Sequence, residues 1–295
     1  SSRAPAALER RNSAERPSSR GPAPLERRNS GSGGGAASSS RLGRTSSRGY
    51  FEGFTLLQVM TSAIGTGDEM LSKALRDAQT YGSLRLLCDS SVGDLDEWMS
   101  HEGPAAVLAP QGPDGLRAAK QRAQELHAAR LRQRGIDPND HVRQQLERAA
   151  SSQQGGGNEE DDIAERFGEG GHHPPCAVTL QWLLGCVRAR KCLSPSRHPI
   201  YTPCQSRLPL ADFKELSFSI SQYDVNSEER RLAIDVIKLL GGKYRESFSR
   251  NRSHLVCSRI SGEKCEKAQE WGVPMVTAAW LRDCFESGCA VPITD

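Results

Sequence analysis

The chain has 295 residues, of which 36% are hydrophobic and 5% aromatic, while Gly and Pro together number 44. Set against the ~45–50% apolar content of an ordinary globular chain, this excludes one packed core along the whole length and leaves room for about two domains. No apolar run approaches the ~20 residues of a membrane span and no apolar signal stretch opens the chain, so no membrane partner is expected; the formal charge of +3 is an average over a segment 1–48 at +7 and a remainder at −4.

Residues 1–48 contain Ser, Arg, Gly, Pro and Ala but no aromatic residue, a composition too poor in apolar area to offset ordering entropy, so a disordered basic tail is expected. Within it an eleven-residue unit occurs twice, at 3–13 and 20–30, each copy ending in Leu-Glu-Arg-Arg-Asn-Ser. Arg-Arg-x-Ser suits basic-directed kinases, which makes Ser13 and Ser30 candidate phosphosites; a low-complexity duplication without a role is the alternative.

From residue 50 the pattern becomes periodic. Residues 54–60 read as a buried strand and Thr66-Gly-Asp-Glu69 as a capping box. The helix it opens carries Met70, Leu71, Ala74, Leu75 and Ala78 on one face and closes at Gly82. Residues 84–87 and 106–109 read as further strands, giving an α/β unit with a parallel sheet. Residues 111–172 read as an insertion, largely disordered, with one polar, basic helix over 116–134 followed by a Gly-rich and then an acidic stretch. The second unit has a strand over 216–221 and a helix capped by Asn226, with Leu232, Ala233, Val236, Ile237 and Leu240 as its apolar stripe and Gly241-Gly242 as its stop. A strand at 254–257, a helix at 263–271, a strand at 274–276 and a last helix capped by Thr277 complete it.

Nine cysteines without a secretion signal point to a reducing compartment and free thiols. None forms a C-x-x-C; His172, His173 and Cys176 come nearest to a metal site but lack a fourth ligand, so no metal and no cofactor are expected. The segment from Gly65 to Met70 lacks the third glycine of a dinucleotide fingerprint. There is no Gly-x-Ser-x-Gly and no Gly-Lys-Ser/Thr, so neither a catalytic set nor a small-molecule substrate is expected.

One repeat organises all of this. Val178-Thr-x-x-Trp182-Leu183-x-x-Cys186 recurs, 98 residues on, as Val276-Thr-x-x-Trp280-Leu281-x-x-Cys284. At the front of each unit Phe51-x-x-Phe54-Thr-Leu56 matches Phe213-x-x-Leu216-Ser-Phe218 at an offset of 162. Two copies of one fold, the first split by the insertion, account for both offsets. Trp and Cys four apart share a helix face, so Cys186 and Cys284 read as packed thiols.

The order of strand, helix ending in Leu240-Gly-Gly242, Ser253-His-Leu-Val256, Trp271-Gly272 and the Trp280 segment resembles the BRCT repeat. Pro199-Ile-Tyr-Thr-Pro203 and Ser219-Ile-Ser-Gln-Tyr223 look most like the topoisomerase II-binding scaffold proteins of DNA-damage checkpoints. The resemblance implies two BRCT-like domains, each a small parallel four-stranded sheet flanked by helices: domain 1 over 49–198, with the insertion at about 111–172, and domain 2 over 208–295. It also implies a nuclear, non-enzymatic scaffold module that binds a phosphorylated Ser or Thr partner in DNA-damage, checkpoint or replication control. On that resemblance Ser221, the Gln222 N–H and Lys264 fall at the phosphate positions, although Cys265 stands where the family usually has an aromatic residue. Arg250, Arg252 and Lys267 are candidates for supporting charge.

In the first copy the same counting reaches Val59, with Thr61 and Ser62 near, and Arg166 beside Asp161 and Asp162. That copy is therefore expected to be structural. Two alternatives stay open: non-specific DNA contact through the tail and the insert helix, and a BRCT pair that binds proteins regardless of phosphate. A chain that begins in low-complexity sequence and stops just past its last helix reads as a piece of a longer protein.

Overall fold

The computed structural model describes residues 49–58, 69–88, 103–141, 143–144 and 174–293. Ser13, Ser30, Val59, Thr61, Ser62, Thr66, Asp161, Asp162, Arg166, His172 and His173 lie outside these. In the first repeat β1 (Thr55–Gln58), α1 (Glu69–Gly82), β2 (Arg85–Cys88), β3 (Ala105–Leu108), α2 (Pro113–Gln133), β4 (Cys176–Val178) and α3 (Leu180–Ala189) follow in order. The second repeat has β5 (Ser217–Ser221), α4 (Glu228–Leu240), β6 (Lys243–Tyr244), β7 (His254–Cys257), α5 (Glu263–Trp271), β8 (Met275–Val276) and α6 (Ala278–Ser287). Both sheets are four-stranded and fully parallel, in the order β2-β1-β3-β4 and β6-β5-β7-β8. Within the described residues the expected strands and helices are present, their ends within about three residues of those expected; the end of the 54–60 strand and the start of the helix after it lie outside the described residues. One cap differs: Ser227, not Asn226, closes the start of α4, its hydroxyl accepting the Arg230 N–H at 3.2 Å.

Strand alternation decides which core each side chain joins. Leu56, Ala106 and Leu108 point to the face covered by α1 and α3, and Leu57, Ala105 and Val107 to the other face. That second face is covered by α2, which buries Ala119, Ala123, Leu126 and Leu131. The expected insertion over 111–172 is corrected here. Its first helix is a structural helix of the first repeat, standing where α5 stands in the second, and the interruption begins beyond it. The buried stripe mixes Gly115, Ala119 and Ala123 with Leu126, Leu131 and the polar His127 and Arg130, so the hydrophobic contrast that marks an amphipathic helix is weak in the sequence.

The repeated motif is a hydrogen-bonded lock. Thr179 and Thr277 cap α3 and α6, accepting the N–H of Trp182 at 3.4 Å and of Trp280 at 3.3 Å. The indole Nε1 of Trp182 donates to the Leu193 carbonyl at 2.8 Å, while the Leu193 N–H donates to Cys186 Sγ at 3.2 Å. In the second copy Trp280 donates to Val291 at 3.0 Å, and Val291 N–H to Cys284 Sγ at 3.4 Å. The thiols are thus buried acceptors, held protonated by burial that pushes their pKa up. Phe51 packs on Trp182 and Phe213 on Trp280, with ring centroids 5.7 and 5.9 Å apart.

The stretch joining the repeats is part of the core. Ile200 and Tyr201 are fully buried; Thr179 Oγ1 donates to the Ile200 carbonyl at 2.6 Å and Gln111 Nε2 to the same oxygen at 2.8 Å. Tyr201 OH donates to Glu228 Oε1 at 3.1 Å, Arg197 pairs with Glu228 at 3.2 Å and Arg188 of α3 with Asp235 of α4 at 3.7 Å. One apolar cluster runs from Phe51 through Tyr201 to Phe285, so the two repeats share a core.

Candidate phosphate site

At the carboxyl ends of β5 and β7 the second repeat gathers three of the expected residues. Ser221 closes β5, is 9% exposed, and among the described residues its hydroxyl has no hydrogen-bond partner. Lys264, in the first turn of α5, reaches back to the same strand end. Its Nζ donates to the Ile220 carbonyl and to the Glu246 carbonyl, both at 3.3 Å. An ammonium has three donors; two are spent on neutral carbonyls, and among the described residues no carboxylate pairs with it. The carboxylate nearest in sequence, Glu263, is taken by Lys267 at 2.6 Å, a contact that lowers the Glu263 pKa and raises that of Lys267.

Backbone geometry completes the site. Gln222 adopts φ 61, a left-handed conformation that costs a non-glycine residue about 1–2 kcal/mol. Its carbonyl accepts the Ser258 hydroxyl, and its Oε1 accepts Arg259 Nε at 3.3 Å. Helix α5 opens at Gly262, with φ 82 and no side-chain cap, so its first amides point at whatever occupies the site. A Cβ on Gly262 would lie 2.6 Å from Gln222 Nε2, a side-chain end that can swing aside, so it is the φ of 82 that favours glycine there.

Arg259 is the cation that sequence reasoning missed. It stands 37 positions from its partner Gln222, and only the pairing of β5 with β7 brings the two together; Arg following the His-Leu-Val-Cys strand by one residue was the available signal. Among the described residues none of the supporting candidates bonds to Ser221, Gln222 or Lys264. Arg250 and Arg252 lie on the return to the start of β7, where Ser253 N–H donates to the Ser217 carbonyl at 2.9 Å. That backbone lies at the amino end of β5, about 13 Å from Ser221 at ~3.3 Å per residue, although the Arg252 side chain reaches the carbonyl next to the one that anchors Lys264. Arg252 Nε is spent on the Ser247 carbonyl at 3.2 Å and Lys267 on Glu263. Cys265, at the family's aromatic position, is buried against β7 beside Cys257, whose thiol is pushed up to about 11 by burial and by that neighbour.

The first repeat repeats the scaffold without the charge. Gly112 opens α2 with φ 100 and ψ 171, as Gly262 opens α5 with φ 82 and ψ 170, and neither has a side-chain cap. Two residues on, Asp114 stands where Lys264 stands, in an exposed pair with Arg117 at 3.4 Å. The counterpart of Lys264 is therefore Asp114, not Arg166; counting back by 98 failed because the interruption follows α2 instead of preceding it.

Residues 216–280 match the model of the twin BRCT domain family. PAX-interacting protein 1 from Mus musculus is 30% identical over 114 residues, 36% of this chain and 10% of that protein. The Danio rerio protein of the same name is 30% identical over 106 residues, 36% of this chain and 11% of that protein. The match thus spans about a tenth of these relatives' length. Among solved structures, repeats 3 and 4 of S. pombe Rad4 cover 82% of this chain and 95% of that one at 14% identity and a TM-score of 0.47. The yeast Rtt107 and Slx4 structure covers 84% of this chain and 42% of that one at 13% identity and a TM-score of 0.49.

Proposed function

We propose that this chain, which carries two BRCT repeats in tandem, is a nuclear, non-enzymatic scaffold module whose second repeat binds a phosphorylated Ser or Thr segment of a partner protein in the DNA-damage response. The observation that carries the reading is Lys264. A half-buried cation is anchored on the carbonyls of Ile220 and Glu246 without a carboxylate partner, beside the unpartnered Ser221 hydroxyl.

A phosphate monoester brings about −1.5 to −2 charge and three strong acceptor oxygens at pH 7. Lys264 supplies its remaining N–H and its charge, Ser221 Oγ and the Gln222 N–H donate from the strand end, and the open start of α5 adds its amides. Arg259 exchanges its neutral Gln222 acceptor for a phosphate oxygen, a stronger, charge-assisted bond. Hydrogen bonds to charged groups contribute roughly 1.5–3 kcal/mol each. Lys264→Glu is thus expected to weaken a phosphoserine peptide by roughly thirtyfold or more, at about 1.4 kcal/mol per decade. The check is fluorescence anisotropy of one peptide with and without its phosphate, and unchanged affinity in the variant removes the assignment.

The outer face of α2 favours non-specific DNA contact as a second reading, since Arg117, Lys120, Arg132 and Arg134 are exposed there. DNA affinity should then fall steeply with salt and be lost when Lys120, Arg132 and Arg134 are changed to Gln, changes that leave the phosphopeptide affinity intact. Deleting 111–172 is not a usable test, because it would remove a helix of the first repeat's core.

A further inference from the structure

We propose that Cys192 and Cys186, at the end of α3, are a thiol modification site: Cys192 exchanges with an anionic small disulfide of the glutathione type, and Cys186 then closes an internal bridge. The proposal stands apart from the phosphopeptide reading. Its basis is the way the chain folds back after α3. Arg190 takes a left-handed φ of 50 and ends the helix. The backbone on either side of Cys192 is then fastened to Cys186: Lys191 N–H donates to the Cys186 carbonyl at 3.3 Å, and Leu193 N–H to Cys186 Sγ at 3.2 Å. This lays Cys192 over the last turn of the helix, with its thiol in hydrogen-bond reach of the Cys186 thiol. Cys186 is fully buried, whereas Cys192 is half-exposed. An accessible thiol poised beside a resolving one is what such exchange requires.

Other thiols supply the contrast. Cys257 and Cys265 pack together, but both are buried, so a reagent has no way in. Cys204 is spent on the Ser206 carbonyl, to which its thiol donates at 3.2 Å. In the second repeat Gly288 N–H bonds to the Cys284 carbonyl at 3.0 Å and Val291 N–H to Cys284 Sγ at 3.4 Å. Two residues, Cys289 and Ala290, stand between those anchors where Cys192 alone stands in the first repeat, and the register that puts the thiols together is lost. The charges differ as well. Arg190 and Lys191 are exposed directly before Cys192, while Asp283 and Glu286 are exposed before Cys289. Arg188 is paired with Asp235, and Asp77 lines a shallow cavity with Arg190; among the described residues Lys191 has no carboxylate partner. The first site therefore attracts an anionic reagent and the second repels it.

The exchange balances in two steps. The Cys192 thiolate attacks one sulfur of the small disulfide, forming a mixed disulfide and releasing one small thiolate, which takes up a proton. Cys186 then gives its proton to solvent, its sulfur attacks Cys192 Sγ, and the second small thiol leaves. Two protein thiols are oxidised and one small disulfide is reduced to two thiols. Burial holds Cys186 protonated, so the first attack belongs to Cys192. The bridge closes one residue before Leu193, whose N–H and carbonyl already hold Cys186 Sγ and the Trp182 indole, and it fastens the start of the segment joining the repeats.

The test takes the full chain, reduced and then equilibrated with mixtures of reduced and oxidised glutathione. Free thiols are blocked with iodoacetamide and tryptic peptides are mapped by mass spectrometry. Cuts after Arg188, Arg190 and Lys191 leave the Cys186 and Cys192 peptides joined by the bridge alone. The expected product is that linked pair, reversed by dithiothreitol, with Cys284 still free. Cys192→Ser should abolish it and leave Cys186 free of glutathione, and a thermal melt establishes that this variant is folded. Arg190→Glu with Lys191→Glu should slow the reaction of Cys192 with oxidised glutathione by about tenfold at low salt and leave its reaction with neutral hydroxyethyl disulfide unchanged. Absence of the linked pair at every glutathione ratio overturns the proposal. So does glutathione resting on Cys192 beside a free Cys186, or a Cys186 adduct that persists in Cys192→Ser. Equal slowing with both reagents overturns the choice of an anionic one.

Discussion

Ser221 and Lys264 are the two residues on which the proposed phosphate site turns. Both were legible before any coordinates, because each sits at a boundary the sequence marks clearly: the end of an alternating strand and the start of a helix. What the sequence did not contain is the pairing of Lys264 with carbonyls 44 and 18 positions away. Those bonds hold the ammonium half-buried, with no neutralising carboxylate among the described residues, which is the geometry the proposed site relies on. Lys264→Met should therefore remove phosphopeptide binding while changing stability, read by urea unfolding, by less than about 1 kcal/mol, since no buried charge is left unpaired. The first repeat supplies the contrast. Asp114→Lys, at the matching helix position, restores the charge and should change stability little, because the site and its Arg117 partner are both highly exposed.

At the scale of the element, the Thr-x-x-Trp-Leu-x-x-Cys helices carry the strongest signal, since cap, indole and thiol are all local in sequence. Trp182 is fully buried, whereas Trp280 is only partly so. Trp182→Phe leaves the Leu193 carbonyl without its donor inside the core and should cost about 1–3 kcal/mol, more than Trp280→Phe, by chemical denaturation. Helix α2 is the opposite case. Its buried face holds small residues, Gly115, Ala119 and Ala123, and the polar His127 and Arg130 alongside Leu126 and Leu131, so its hydrophobic stripe hardly differs from its flanks, and its many basic residues drew it into the expected insertion. A parallel sheet of this kind needs both faces covered, and that requirement fixes the role of α2 where local pattern did not.

For the whole molecule the joining segment is decisive. A Cβ on Gly185 would lie 2.6 Å from the Tyr201 hydroxyl, so Gly185→Ala should displace Tyr201 and lower the melting temperature by more than Tyr201→Phe, which removes only the bond to Glu228, worth ~1 kcal/mol. Acid should loosen the same region. His198 is held to about 4 in the folded chain against ~6.5 when unfolded. A depressed folded pKa means that the unfolded state takes up the proton first; stability is complete above about 6.5 and falls as pH drops toward 4. His198→Asn keeps an acceptor for the Ile200 N–H without the titration, so its melting temperature should fall less between pH 7 and pH 4.5 than that of the parent chain.

By itself the sequence determined the two-copy architecture, the Thr277 cap and the Trp–Cys helices, and it singled out Ser221 and Lys264 for the proposed site, because these depend on periodicity and on neighbours within a turn or two. Only the tertiary structure decided that α2 belongs to the first repeat, that Asp114 is the counterpart of Lys264 and that Arg259 joins Gln222. Each of these depends on which strands lie side by side and on how far the chain wanders between them, and such long-range pairings leave no local period for a sequence to display.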